Sequence, residues 1–110
     1  MKSLSDIKKI ARETIAIELA AVAKLESSIN DDFVNAINLI LSTKGRLIVA
    51  GIGKSANIAN KMVATFNSTG QPAVFLHAAD AIHGDLGNIQ EGDVVICISK
   101  SGNTSEVKAL

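Results

Sequence analysis

Apolar residues recur in steps of three and four through the first 25 positions, at Leu4, Ile7, Ala11, Ile15, Leu19, Val22 and Leu25. That spacing is one stripe of an amphipathic helix. Ile10 and Ile17 widen the stripe beyond what a single partner would cover, and Ala16, Ala20, Ala21 and Ala23 permit close helix approach. Two readings fit it: a helix packed on its own domain, or a contact between copies in an oligomer. Ser27, Ser28 and Asn30 can cap a second helix, and Asp31 and Asp32 suit its positive end. Phe33, Ile37 and Leu41, with Val34 and Ile40 beside them, give that helix its expected buried face, and Gly45 ends it.

The pattern then changes from helical spacing to short apolar runs. Arg46–Ala50, closed by Gly51-Ile52-Gly53, reads as a strand buried on both faces and followed by a tight loop. A helix follows from about Ser55 to Thr69, with Ile58, Met62, Val63 and Phe66 on one side and Gly70 at its end. Pro72 permits a restart, and Ala73–His77 is a second strand. Residues 79–92 read as a mixed connection, a helical turn around 80–83 and then loop. Val94–Ile98 is a third buried strand, Ser99–Thr104 its loop, and a further helix opens at about Ser105. Strand, helix, strand, connection, strand, loop, helix predicts an α/β domain with a parallel sheet and right-handed crossovers.

Composition sharpens this in a few places. A chain of 110 residues supports one modest core. Its 11 Lys+Arg balance 11 Asp+Glu, which removes the basic footprint of a phosphate-backbone binder and excludes nucleic acid as the expected partner. With 47% hydrophobic and 20% charged residues the chain is expected to fold. No apolar stretch reaches membrane-spanning length, and the N-terminus keeps returning to charge, so neither membrane nor secretion is expected and the location is read as cytoplasmic. The single cysteine, Cys97, rules out an intrachain disulfide or a thiolate metal cluster and is read as a small buried hydrophobe.

In open parallel sheets ligands bind beyond the carboxyl ends of the strands, so the chemistry belongs in the loops that follow each apolar run. Gly51-Ile52-Gly53-Lys54-Ser55 follows the first strand, with glycines that let backbone approach a ligand and a helix start whose N–H groups face an anion. Ser99-Lys100-Ser101-Gly102-Asn103-Thr104 follows the third, gathering three hydroxyls, the flexible Gly102 and another helix start. Two anion cradles of this kind suit a phosphorylated small molecule. A P-loop is excluded, because Ile48 stands where that motif needs glycine. A dinucleotide fingerprint, Gly51-x-Gly53-x-x-Ala56, lacks its acidic residue: His77 ends the second strand and Asp80 comes three positions later. His77, His83 and Asp85 match no standard metal spacing, so no metal is assigned.

Each remaining polar residue has a bland and a chemical reading. Serines and threonines cap helices, but one cap does not require three hydroxyls. Lys54 opposes the helix dipole at a helix start unless an anion sits there. His83 is either a loop histidine bonded to Asp85 or a proton-transfer or hydroxyl contact. Glu106 is either an acid favoured by the dipole or the carboxylate best placed for general-base work.

Taken in order, Gly-x-Gly-Lys-Ser, Phe-Asn-Ser-Thr-Gly, His-Gly-Asp-Leu-Gly and Ser-x-Ser-Gly-x-Thr form a highly specific combination. From about Arg46 onward the chain resembles the sugar isomerase (SIS) domain of arabinose-5-phosphate isomerases, which supply the sugar for the lipopolysaccharide acid Kdo. The resemblance implies a three-layer αβα, flavodoxin-like domain over residues 45–110, preceded by a two-helix arm over 1–44. It implies interconversion of D-arabinose 5-phosphate and D-ribulose 5-phosphate with no cofactor, by a homo-oligomer, a tetramer in the family. By position, Lys54, His83 and Glu106 match catalytic residues, and Ser55, Ser99, Ser101 and Thr104 match sugar-phosphate ligands. Ala56 and Asn57 stand where the family often has Gly and His, and Lys100 and Asn103 where it often has Asn and Glu. The alternative is a non-catalytic SIS module that binds a sugar phosphate as a regulator. Three strands leave the apolar Val94–Ile98 with one evident neighbour, so more sheet is expected and the 110 residues read as the N-terminal part of a longer protein.

Overall fold

The computed structural model describes residues 1–110. They divide into two units, Met1–Ile37 and Asn38–Leu110. The first contains helix α1 (Leu4–Lys24), a short 3-10 turn (Leu25–Ser28) and the start of helix α2 (Asp31–Ser42). Ser3 begins α1 through a capping box, its hydroxyl accepting from the Asp6 N–H while the Asp6 carboxylate accepts from the Ser3 N–H. Asn30 starts α2, its side-chain oxygen accepting from the Phe33 N–H at 3.1 Å.

Neither helix buries a residue. For α2 this corrects the expected buried face: Phe33, Val34, Ile37 and Leu41 are exposed, and Ile40 alone packs against the core. A stripe wider than one contact does not say which of its members meets a partner. Along α1, Ile7, Ile15, Leu19 and Val22 are all more than half exposed.

The second unit is a parallel sheet of strands β1 (Leu47–Gly51), β2 (Ala73–His77) and β3 (Val94–Cys97), in the order β2-β1-β3. Helix α3 (Lys54–Ser68) joins β1 to β2. Helix α4 (Ala78–Ile82) and a 3-10 turn (Asp85–Asn88) lead to β3, and helix α5 (Ser105–Lys108) follows it. The helical turn expected around 80–83 thus begins at Ala78, directly off the end of β2.

Alternation along β1 explains the two-sided core. Leu47 and Val49 point to one face with Ala59 and Ala73, where Met62, Val63 and Phe66 of α3 pack. Ile48 and Ala50 point to the other, with Leu76, Ala81 of α4 and, less buried, Ile89 and Leu110. Leu47, Ile48 and Val49 are fully buried, each removal from water contributing about 1.5–3 kcal/mol.

The edge strand departs from its expected burial. Val94 and Ile96 are half-buried on the α3 face, whereas Val95 and Cys97 on the opposite face are exposed. The groups packed on that opposite face gather over Ile48, Ala50 and Leu76, and β3 pairs only with β1. Cys97 is therefore an exposed thiol and not a buried hydrophobe. Partial desolvation pushes its pKa up, which favours the protonated thiol.

Candidate active site

The order β2-β1-β3 makes a topological switch at β1, because the chain leaves β1 toward β2 on one side and returns to β3 on the other. In such sheets the crevice opens at the carboxyl ends of the two strands flanking the switch. The loops there are Gly51–Lys54 after β1 and Ile98–Thr104 after β3. They are tied together by the Ile98 N–H, which donates to the Ala50 carbonyl at 2.9 Å. The two stretches singled out for chemistry thus share one edge of the sheet.

Each loop has its own construction. Gly51 is buried, and a Cβ there would lie 2.9 Å from the backbone C and O of Ser55, so glycine at this position makes room for the first turn of α3. Gly53 has open space around it but φ 60 and ψ −132, a conformation glycine adopts without penalty. It turns the chain into the 15-residue α3 with no side-chain cap; the Ala56 N–H donates to the Gly53 carbonyl at 3.1 Å, and the Lys54 and Ser55 N–H groups ahead of it have no intrahelical acceptor. Lys54 is the exposed first residue of α3, and Ser55, half-buried, is the second.

In the other loop the hydroxyls organise the backbone. Ser99 and Thr104 are half-buried, their hydroxyl oxygens 3.0 Å apart, and Ser99 Oγ also accepts from the Gly102 N–H at 3.0 Å. Ser101 is exposed and accepts from the Asn103 N–H at 3.0 Å. Gly102 sits at φ 72, which lets the loop fold back over Ser99. Three hydroxyls and a reversed backbone in six residues form a cup of donors at the end of β3. Thr104 precedes α5 without capping it through its side chain.

Glu106 lies half-buried in the first turn of α5. Its own backbone N–H, and then the Ser105 hydroxyl donating to Oε2 at 2.9 Å, hold the carboxyl below the usual carboxylate range, with partial burial opposing. The group is therefore an ionised acceptor at neutral pH, the form a proton-abstracting base requires. Ser105, expected only as the start of a helix, is thus a partner of Glu106 that the sequence does not announce. A serine next to an acid is too common a pair to be a signal.

His83 is exposed at the C-terminal end of α4, and no hydrogen bond joins it to Asp85, which removes the bonded loop-histidine reading. α4 packs beside α5, so the segment that ends in His83 neighbours the one that carries Glu106. His77 is half-buried at the end of β2, in register with Gly51, and its Nδ1 accepts from the Ala79 N–H. No group of three or more His, Cys, Asp or Glu side chains converges as a metal site would require. The apolar depression lined by Lys61, Met62, Thr65 and Phe66 lies farther along α3, away from the strand ends.

Fold and loops together define a doubly wound α/β domain with its candidate ligand edge beyond β1 and β3. Residues 40–110 match the SIS domain family, and the chain belongs to it. It is 48% identical over 100 residues to the arabinose 5-phosphate isomerase KdsD of Pseudomonas aeruginosa, covering 91% of this chain and 31% of that protein. It is likewise 48% identical over 96 residues to the arabinose 5-phosphate isomerase GutQ of Escherichia coli, covering 87% of this chain and 30% of the relative. A protein of E. coli CFT073 solved in complex with arabinose 5-phosphate superposes with a TM-score of 0.92 at 41% identity, over 98% of this chain and 57% of that one. The chain thus spans about a third of the length of these curated relatives. No helix is long and apolar enough to cross a membrane.

Proposed function

We propose that the protein of which these residues form the described part is a sugar-phosphate aldose–ketose isomerase, interconverting D-arabinose 5-phosphate and D-ribulose 5-phosphate on the path to Kdo and lipopolysaccharide. The observation that carries the reading is the single edge of the sheet that holds both the Ser99–Thr104 cup and the uncapped start of α3. Relatives bearing the name of this activity over the same residues support it.

Aldose–ketose isomerisation moves a proton between C1 and C2 through an enediol. It needs a base, a group to stabilise the developing oxyanion, and a hold on the distant phosphate. In this assignment the ionised Glu106 takes the C2 proton of the open-chain aldose and returns it to C1, while the O2 hydroxyl proton passes to O1 so that the carbonyl moves from C1 to C2. The Lys54 ammonium stabilises the negative charge that develops on the carbonyl oxygen in the enediolate. His83 assists ring opening or contacts a substrate hydroxyl. Ser55, Ser99, Ser101 and Thr104 hold the phosphate, whose binding energy orients the reacting carbons. The electrons stay within the sugar, so the scheme uses no cofactor.

The role of the base is tested by Glu106→Gln, which keeps the shape of the side chain and removes its basicity. Binding of arabinose 5-phosphate stays within a few-fold of the parent while turnover collapses by about a thousandfold or more. Near-normal turnover takes Glu106 out of the scheme. A homo-oligomer, a tetramer by family resemblance, is part of the same proposal, and the exposed apolar stripe of α1 is the surface that suits it.

A further inference from the structure

His77 belongs to none of the roles above, yet it stands where three elements meet. It ends β2, pairs in register with Gly51 at the candidate site, and is the N-cap of α4. Its ring meets Phe75 edge to face, with centroids 6.2 Å apart, which fixes the imidazole over the α3 face of the sheet. From there Nδ1 accepts the Ala79 N–H at 3.3 Å, one of the donors that a helix start leaves without a partner.

We infer that His77 is a positioning residue, whose unprotonated Nδ1 fixes the start of α4 and through it the placement of His83 and of the segment beside Glu106. The tautomer follows from the hydrogen bond. A nitrogen that accepts carries no proton, so a neutral ring must hold its proton on Nε2. The leverage follows from the shape of α4, which has only five residues and is anchored by Ala78 and Ala81, both essentially fully buried. His83 is the C-cap of that helix, its own N–H bonded back to the Asp80 carbonyl at 3.0 Å. α4 packs on the 3-10 turn that follows and on α5, which carries Glu106. In so short an element the cap and the two buried alanines are all that hold the axis, so freedom at Ala79 passes on to His83 and to the packing against α5.

The catalytic half of this inference rests on the isomerase reading, but the cap does not, so two kinds of measurement separate them. Nitrogen-15 NMR of the full chain reads the tautomer: an unprotonated Nδ1 with Nε2–H supports the cap, and a proton on Nδ1 overturns it. His77→Asn retains a side-chain acceptor at a favoured N-cap, and His77→Leu retains bulk without one. The Asn variant is expected to keep the Ala79 amide protected from exchange, the His83 resonances in place and turnover within about threefold of the parent. The Leu variant loses that protection, shifts His83 and lowers kcat by roughly tenfold with KM little changed, because the phosphate cup lies on other loops. A Leu variant that keeps both protection and turnover overturns the inference. So does an Asn variant that keeps protection but loses as much turnover as Leu, since the imidazole would then be needed for something other than the cap. Should the Leu variant not fold, the tautomer and the Asn variant still decide. Should the parent show no isomerisation, the isomerase reading fails while tautomer, exchange and His83 shifts still test the cap.

Discussion

In the proposed scheme Glu106 is the base, and its surroundings set a pH expectation. Its backbone N–H and the Ser105 hydroxyl lower its pKa, so the carboxylate persists as pH falls through the ordinary glutamate range. If it is the base, the acid limb of kcat/KM that it contributes lies below that range. Ser105→Ala, by removing one of the two bonds, moves that limb upward. A pH–rate profile that is unchanged in the variant would detach Ser105 from the base. Ser101 is different in kind: it is exposed and shapes its own loop through the Asn103 N–H. Its loss should be felt in binding, with Ser101→Ala raising KM by roughly tenfold, the scale of one hydrogen bond to a charged group, and leaving kcat nearly intact. A change confined to kcat would overturn that division of roles. At this scale the sequence showed a good deal, because Ser-x-Ser-Gly-x-Thr places its hydroxyls close together along a single loop. It could not show His77 as a cap, which depends on α4 starting at Ala78, two residues before the turn expected from the pattern.

Among the elements, the end of the sheet opposite the site is held by a contact that no local pattern announces. Asp93 accepts from the Arg46 N–H at 2.7 Å and the Gln90 N–H at 2.8 Å, and pairs with the Arg46 guanidinium at 3.2 Å. Arg46 and Asp93 lie 47 residues apart in sequence, which is why spacing alone does not reveal them. The bonded N–H groups of Arg46 and Gln90 hold the Asp93 carboxyl below its ordinary value. A carboxylate depressed in the folded state stabilises it above the unfolded pKa, and that contribution is lost as pH falls through the folded one. Asp93→Asn should therefore lower Tm at neutral pH, with the gap to the parent closing on the acid side of the carboxylate range. A gap independent of pH would contradict the assignment. At the other end, Gly51→Ala forces a Cβ against the Ser55 backbone and should cost about 1–3 kcal/mol, read as a loss in thermal stability. β1 and β2 were legible because continuous apolar runs are what strands covered on two faces require. The exposure of β3 and α2 was not, since a single sequence shows which residues are apolar and not which of them meet a neighbour.

For the whole molecule, the strand order is what turns scattered motifs into a candidate site. The order β2-β1-β3 puts the loops after β1 and β3 side by side at one edge of the sheet, whereas the linear sequence separates Lys54 from Glu106 by more than 50 positions. Self-association belongs to this scale as well. With Ile7, Ile15 and Leu19 exposed along α1, sedimentation of the protein should show an oligomer, and Ile15→Glu with Leu19→Glu should shift it toward the monomer. A parent that sediments as a monomer would remove the oligomeric part of the proposal. The claim on which the rest depends is that this edge of the sheet binds and isomerises a pentose phosphate. The most direct measurement is to incubate the full-length protein with arabinose 5-phosphate and follow the sugar by NMR. Ribulose 5-phosphate accumulating toward a fixed ratio, reached equally from either sugar and abolished by Glu106→Gln, is the expected result. Arabinose 5-phosphate that binds and stays unchanged would contradict the account and make the domain a sugar-phosphate sensor.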